Sequence, residues 1–403
     1  MLPQVFKTMI IQSKPWYKRH RYWTIDLLAR MARFKYKWRI RMPLLRYCFV
    51  FIGLIAFSNL ILSTEPAFMP PACPQTGGIV DLALIYQGGT HRIDWTPEQF
   101  KPYLTWTNPD SQKEEWLFDG FLFIEYKSNT GFMFAKGYRA KPSTKEDQLW
   151  FLERIFEKGK AVDALDKALG ETTQRLGSPS RPRRVVLTLP EPIIQTENWG
   201  ELNNKALDFK NTEDRIAAVK WFINLLLERW NKEAYQNIEL AGFYWVAEEM
   251  GESDTELMRA IGQYIRSLNK QFYWIPWWRS PGSKVWKDLG FDVAYQQPNY
   301  FFKLEVPDGR VEEACRFAKE HGMGLEMEWD GRVMSDTTNF ARRLQGYLEG
   351  FEQAGVWKEA AVAHYMGGHE LIALSKSREP EVVALYRRLC STIAERQKRK
   401  DCE

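Results

Sequence analysis

The chain has 403 residues, of which 45% are hydrophobic and 27% charged, and its formal net charge is +5. This composition supports a substantial core and excludes a largely disordered protein. Residues 1–46 hold 12 of the 56 Lys and Arg but only one acid, Asp26. From residue 63 onward the chain therefore has 44 basic and 50 acidic residues, a net charge of −6. The positive charge belongs to the leader, so we do not expect the rest of the chain to bind nucleic acid.

Two N-terminal segments together predict a targeting signal. The basic residues 1–46 precede an uncharged apolar run at 47–62 (YCFVFIGLIAFSNLIL). That run is short for a membrane span and typical of the apolar part of a signal peptide. Because a basic flank stays on the cytoplasmic side, we expect residues 63–77 to be a linker and the folded part to be exported. It would then be secreted, periplasmic or anchored at the cell surface, touching the membrane only through the N-terminal segment. A chain start at Met42 is a second interpretation, because it gives a leader of ordinary length.

From residue 78 onward, short apolar runs alternate with longer helical patterns. Most runs are continuously apolar, as expected for parallel strands that are buried on both faces. The eight runs are 79–86, 118–126, 184–190, 238–246, 271–278, 291–298, 323–329 and 360–366. About 330 residues for eight strand–helix units fit an α/β fold of the (β/α)8 TIM barrel type over residues 78–403. An open doubly wound sheet is the competing arrangement.

Capping patterns mark several of the intervening helices. The spacing of Ser, Thr and Glu at 143–146 and 253–256 predicts helices over 145–170 and 254–269. Asn211 is expected to cap a long amphipathic helix. These helices separate the predicted strands and support the alternating β/α organisation.

Acidic residues stand at the ends of three predicted strands, where a barrel carries its site. Glu248 and Glu249 follow the fourth run, Glu326 and Glu328 lie in the seventh, and Glu125 lies near the end of the second. Glycoside hydrolysis needs two carboxyl groups, one to protonate the leaving oxygen and one to attack the sugar or activate water. We predict that Glu248 is the acid/base and Glu328 the nucleophile of a retaining mechanism. Glu249, Glu326 and Glu125 are the alternative catalytic groups.

A structural interpretation competes with this prediction. Glu248 and Glu249 would simply open a solvated helix, where N-terminal acids are favoured. Glu326 would then pair with an inward-facing Arg or Tyr.

Under the catalytic prediction, the carboxyl that acts as an acid must be kept protonated by apolar surroundings. Trp245 and Trp329 are the expected source of such surroundings.

Aromatic and amide side chains are concentrated at the same strand ends. Sugar rings bind with their apolar faces on aromatic rings, while amides and carboxylates bond their hydroxyls. The predicted substrate-binding residues are Tyr86, Gln87, Tyr244, Trp245, Trp274, Trp277, Gln296, Asn299, Trp329 and Tyr365. The predicted partner of the folded part is therefore a polysaccharide or glycan.

Other kinds of site have weaker signals. No Cys or His pair has zinc-ligand spacing, and the chain has neither a Walker loop nor a dinucleotide fingerprint, so we predict no metal and no cofactor. The glycine pairs at 88–89 and 367–368 leave open an enzyme acting on a phosphorylated small molecule. A non-catalytic carbohydrate-binding barrel is the other alternative.

The run YWIPWWRSPGSKVWKDLGFDVAYQQPNYFF at 273–302 resembles an uncharacterised bacterial family with Tyr-Trp-Ile-Pro, Trp-Lys-x-Leu-Gly-Phe-Asp and Gln-Pro-Asn-Tyr segments. GFYWVAEE at 242–249 and GLEMEW at 324–329 are similar to the same family, and the resemblance spans 79–370. The family is a domain of unknown function found in secreted or surface-associated proteins. The resemblance thus implies a glycoside-hydrolase-like barrel outside the cytoplasm and leaves the reaction open.

The acids after the fourth and seventh strands also resemble those of the large clan of retaining glycosidases with barrel folds. In that clan an Asn usually precedes the acid/base Glu, whereas Ala247 stands at that position here. If the resemblance holds, Gln296 or Asn299 would have to bind the sugar 2-hydroxyl in its place.

Overall fold

The computed structural model describes residues 65–87, 92–137 and 141–399, and the predicted leader and apolar run lie outside them. Eight parallel strands form a closed barrel in which each strand pairs with its neighbours in the chain. The strands are β1 Asp81–Tyr86, β2 Gly120–Ile124, β3 Arg183–Leu189, β4 Ile238–Trp245, β5 Gln271–Trp274, β6 Val293–Gln296, β7 Gly324–Trp329 and β8 Val362–Met366. Parallel pairing of β1 with β8 closes the ring, so the barrel prediction is confirmed and the open sheet is wrong.

Helices cover the outside of the barrel. The longer ones are α1 Pro97–Leu104, α2 Lys145–Ile155, α3 Ala161–Leu176, α4 Thr212–Glu233, α5 Thr255–Ser267, α6 Arg310–His321, α7 Arg342–Gln353 and α8 Pro380–Gln397. Short helical turns occur at Arg332–Ser335, Thr337–Ala341, Val356–Glu359 and Glu370–Leu374. Within the described part of the chain, no helix is long and apolar enough to cross a membrane.

Two helix predictions can be compared directly with the structure. Asn211 caps α4 as predicted, because its side chain accepts a hydrogen bond from the Glu213 backbone N–H. The single helix predicted over 145–170 is wrong, because the chain leaves the helix after Ile155 and resumes at Ala161. Gly159 has a φ of +76° in this break, a left-handed conformation that an α-helix cannot contain.

A buried polar cluster closes the amino-terminal end of the barrel. The Arg396 guanidinium, from α8, donates to both carboxylate oxygens of Asp81 at 2.9 and 3.0 Å. His364 Nε2 lies 3.0 Å from the same carboxylate, and Asp119 accepts hydrogen bonds from the backbone N–H groups of Val80 and Asp81. These bonds connect the last helix to the first strand and fill this end of the barrel. A site accessible to a ligand is therefore expected at the opposite end.

Candidate active site

A cavity of about 140 Å³ lies at the carboxyl-terminal end of the barrel, and we call it the inner cavity. Its walls combine tyrosines and apolar side chains with three carboxyl groups. The lining residues are Leu84, Tyr86, Tyr126, Tyr244, Glu248, Ile275, Gln297, Phe302, Glu326, Glu328 and Tyr365. Seven of the eight strands, or the loops that directly follow them, therefore contribute to one cavity.

Both carboxylate oxygens of Glu328 accept a hydrogen bond. The Tyr347 hydroxyl donates to Oε2 at 2.6 Å, and Asn299 Nδ2 donates to Oε1 at 3.2 Å. Burial raises the pKa of Glu328 to about 7, against the lowering effect of these two donors. The side chain is thus held in one orientation. With this pKa, the carboxyl is ionised in about half of the molecules at neutral pH.

Glu248 is held through a single oxygen. Gln297 Nε2 donates to its Oε1 at 2.7 Å and the Tyr126 hydroxyl at 3.1 Å. Burial raises the pKa of this carboxyl, while the two donors oppose the change. Oε2 accepts no hydrogen bond from any described residue, so a proton carried by Glu248 belongs on Oε2.

A chain of hydrogen bonds through the side-chain amides of Gln297 and Asn299 connects the two carboxyl groups, and we call it the Gln297–Asn299 relay. Asn299 Nδ2 donates both to Gln297 Oε1, at 2.8 Å, and to Glu328, while Gln297 binds Glu248. Asn299 has a φ of +47°, which Asn tolerates better than most residues, and its Oδ1 accepts from the Trp278 backbone N–H at 2.7 Å. The segment after β6 therefore fixes the position of both carboxyls at once.

Glu326 lies two residues before Glu328, on the same face of β7 and one pleat deeper in the barrel. Its side chain lines the inner cavity and only 3% of the residue is exposed. Unlike the other two carboxyls, it receives no hydrogen bond from any residue that the structure describes. Burial, followed by the charges of Glu328 and Glu248, raises its pKa well above the usual value. The raised pKa favours the protonated form of this carboxyl.

A second, more open cavity of about 300 Å³ adjoins the first, and we call it the outer cavity. Tyr126 and Glu248 line both cavities. The outer cavity is completed by Ala135, Lys136, Gly137, Glu249 and Trp277. Trp277 is 37% exposed, more than most large apolar side chains described here. Glu248 therefore lies at the junction of the two cavities.

The structure brings together nine of the residues selected from the sequence. Tyr86, Tyr244, Glu248, Glu326, Glu328 and Tyr365 line the inner cavity, Glu249 and Trp277 line the outer cavity, and Asn299 bonds to Glu328. Strand pairing explains part of this arrangement, since Glu328 of β7 is the register partner of Tyr365 of β8.

Three predicted tryptophans lie outside both cavities. Trp245 and Trp329 are fully buried, and Trp329 follows Glu328 in an alternating strand, which turns it to the opposite, helix-facing side. Trp274 is also buried, stacks on Phe291 at 4.9 Å between ring centroids, and donates from Nε1 to the Ala247 carbonyl. Tyrosines and Phe302, rather than Trp245 and Trp329, form the aromatic surroundings of the carboxyls.

Three predicted polar residues also lie outside both cavities. Gln87 Nε2 donates to the Arg154 backbone carbonyl of α2 at 2.8 Å. Gln296 Nε2 is surrounded by three backbone carbonyls, including that of Pro276 at 3.2 Å. Glu125 accepts from Arg92 Nε at 3.0 Å and from two backbone N–H groups. Each of these side chains stabilises a strand end or loop instead of facing a ligand.

Sequence reasoning missed Tyr126, Phe302 and Tyr347. Tyr126 directly follows Glu125 at the end of the second apolar run, so the strand-end rule was sufficient to find it. Tyr347 lies on α7, and no local pattern distinguishes a helical tyrosine that faces the barrel mouth from one that packs in the core.

Anion and metal sites find little support in the described part of the chain. At the glycine pair 367–368, the His369 backbone N–H donates to the Glu370 carboxylate at 2.7 Å, so an acidic side chain already occupies this loop. The other glycine pair, 88–89, lies outside the described residues. Within the described ranges, no group of three or more His, Cys, Asp or Glu is arranged to hold a metal ion.

Comparison with known families gives one extensive match. Residues 81–391 match a family described as a domain of unknown function, DUF4855. The chain belongs to this family. A search of curated proteins finds no match.

Solved structures resemble this DUF4855 barrel only distantly. A xylanase–α-amylase inhibitor protein in complex with trehalose is 10% identical, with a TM-score of 0.40, over 76% of this chain and 98% of its own. An intracellular xylanase from Thermoanaerobacterium saccharolyticum is 9% identical, with a TM-score of 0.38, over 70% and 90%. A fructose-bisphosphate aldolase from Slackia heliotrinireducens is 10% identical, with a TM-score of 0.29, over 59% and 72%. Proteins this distant differ in activity and indicate no reaction for the present chain.

Proposed function

We propose that this DUF4855 protein is a glycoside hydrolase in which Glu248 is the acid/base and Glu328 the nucleophile. The observation that carries the proposal is that both carboxyls line one enclosed cavity and are positioned by the same Gln297–Asn299 relay. A pair of fixed carboxyl groups facing one cavity is the arrangement that glycosidic bond cleavage requires.

The hydrogen bonds favour this division of roles. Glu248 uses Oε1 for both of its donors, so its Oε2 is available to protonate the leaving oxygen. Glu328 is oriented through both oxygens and attacks the anomeric carbon in its ionised form, displacing the leaving group. Glu248 then removes a proton from water, which releases the sugar from Glu328 with retention of configuration.

The two cavities differ in size and suggest which part of the substrate each one holds. The inner cavity, at about 140 Å³, is well below the roughly 300 Å³ at which ordinary ligand pockets begin, and suits a single sugar ring. The outer cavity offers about 300 Å³ and the exposed ring of Trp277 for the leaving-group side of the glycan. Cleavage would occur between them, where Glu248 lies.

The inner cavity disfavours a phosphorylated substrate. It is lined by Glu248, Glu326 and Glu328, and by no Lys, Arg or His among the described residues. A phosphate group would meet like charge there, without the cations that phosphate recognition uses.

The test is a glycan-panel screen with the full chain, measuring hydrolysis and binding separately. Wild type should cleave at least one glycan, and Glu248→Gln and Glu328→Gln should each abolish cleavage while leaving its binding largely intact. Glu239→Gln is the matched control, because Glu239 lies on the same strand as the Glu248 segment but is exposed at its opposite end. Binding without cleavage by wild type would favour a carbohydrate-binding barrel, and unchanged turnover in Glu328→Gln would refute its role.

We also propose that the apolar run at 47–62, behind its basic flank, directs export of the barrel. The supporting observation is the sequence pattern alone. Cell fractionation of the full chain and of a chain lacking 47–62 tests it. Export of the wild type and retention of the deletion variant are expected, and an identical distribution would contradict the proposal.

A further inference from the structure

The Glu326 carboxyl faces the inner cavity, and no described side chain is paired with it. It is 3% exposed, it lines the cavity, and no described residue donates a hydrogen bond to it. A carboxyl that faces a cavity and has no hydrogen-bond donor among the described residues is a candidate for pairing with a ligand.

The charges around the cavity restrict what that ligand can be. The three carboxyls of the lining are accompanied by no cation among the described lining residues. The guanidinium of Arg92 lies 4.4 Å from the Tyr86 ring centroid, but it is paired with Glu125 at 3.0 Å. Lys136, in the outer cavity, is paired with Asp254 at 2.6 Å. Each of these two cations is thus already matched by an acid, and no described residue brings an unpaired positive charge to the inner cavity.

We propose that the inner cavity receives a sugar ring bearing a free, protonated amino group, for which Glu326 is the counter-ion. This deepens the proposed function and rests on it, since it names the substrate class of the same site. An ammonium group has three N–H donors and no acceptor, which complements a carboxyl to which no described side chain donates. A neutral or N-acetylated sugar would supply only weaker donors, and an acidic sugar would be repelled.

Binding of an ammonium would also change the protonation of Glu326. Burial and its two acidic neighbours raise its pKa in the free protein, which favours the protonated form. A cation beside it favours the ionised form. Binding of the amino sugar is therefore expected to shift Glu326 toward the ionised form, whereas an uncharged sugar should not.

The experiment is calorimetric titration of the full chain carrying Glu248→Gln, which prevents cleavage. The ligands are matched oligosaccharides of 2-amino sugars, either with free amino groups or fully N-acetylated, in two buffers of different ionisation enthalpy. The free amino form should bind about ten- to a hundredfold more tightly, as expected for a hydrogen bond between charged groups, and its proton exchange with the buffer should differ from that of the N-acetylated form.

Adding Glu326→Gln should reduce this preference to below about threefold and abolish the difference in proton exchange. Glu326→Leu, which leaves no polar atom unsatisfied, is the second variant, and Glu239→Gln is the control that should retain the preference. Equal or tighter binding of the N-acetylated oligosaccharides would overturn the amino-sugar proposal and leave carbohydrate binding standing. A preference that survives in both Glu326 variants would overturn it as well. If neither oligosaccharide binds, the amino-sugar proposal fails, whereas the glycoside hydrolase proposal is decided separately by the glycan-panel screen.

Discussion

Replacement of Tyr347 by Phe tests the electrostatic setting of Glu328. The substitution removes the hydroxyl that donates to Oε2 at 2.6 Å and keeps the ring that packs edge-on against Tyr300 at 5.4 Å. A hydrogen bond to an ionised group contributes about 1.5 to 3 kcal/mol, and about 1.4 kcal/mol changes a pKa by one. Since this bond stabilises the ionised form, its loss should raise the pKa of Glu328 from about 7 to roughly 8 or 9.

The assay is an NMR titration of ¹³C-labelled glutamate carboxyl groups, with the Glu328 signal assigned by its absence in Glu328→Gln. At pH 7 the ionised fraction of Glu328 should fall from about one half to about one tenth or less. If Glu328 is the nucleophile, turnover at pH 7 should decrease roughly five- to fiftyfold and recover as the pH rises.

Tyr295→Phe is the matched control for this substitution. The Tyr295 hydroxyl is buried and has no hydrogen-bond partner among the residues that the structure describes. The charged groups that act on its pKa are Asp119, Asp81 and Arg396, at the other end of the barrel. Its removal should leave the Glu328 titration unchanged. An unchanged or lowered pKa of Glu328 in Tyr347→Phe would refute the assignment of this hydrogen bond.

Three further predictions concern stability and binding. Burial raises the pKa of Glu328 from 4.5 to about 7, so the folded state retains a proton that the unfolded chain releases. The free energy of unfolding should therefore decrease by about 3 kcal/mol as the pH rises from below 4.5 to 7. Urea denaturation should show a larger decrease for the wild type than for Glu328→Gln. Arg396→Met leaves Asp81 buried without its guanidinium and should lower the free energy of unfolding by about 3 to 5 kcal/mol. The control Arg388→Met removes a 41% exposed partner of a surface ion pair and should lower it by less than about 1 kcal/mol. Equal losses of unfolding free energy in denaturant titrations would contradict this prediction. Trp277→Ala should weaken oligosaccharide binding about three- to tenfold in titrations. The binding of a monosaccharide should not change, because Trp277 lines only the outer cavity. An equal loss of affinity for both ligands would place the leaving-group side elsewhere.

The barrel was predictable because its signal is repeated eight times. Continuous apolar runs indicate strands buried on both faces, and the strand–helix alternation then leaves few topologies. The helix break before Ala161 was not predicted, because a single glycine, Gly159, does not outweigh a long helical pattern.

The candidate site was only partly predictable, because a strand-end residue can face either side of the barrel wall. Glu326 and Glu328 share one face by their spacing of two, and this placement follows directly from the sequence. For Gln87 and Gln296, the direction of the side chain depends on backbone carbonyls supplied by distant loops. Tyr347 reaches Glu328 from a helix, and such a contact depends on how α7 packs over the barrel mouth.

Covalent trapping with a fluorinated glycoside of the cleaved sugar tests the proposed catalytic pair most directly. Such a compound slows hydrolysis of a glycosyl–enzyme intermediate, and peptide mass spectrometry then locates the attached sugar. A single sugar on Glu328, absent in Glu328→Gln and formed more slowly in Glu248→Gln, is the predicted result. A sugar attached to another residue, or cleavage with inversion and no attached sugar, would contradict the role of Glu328 as the nucleophile.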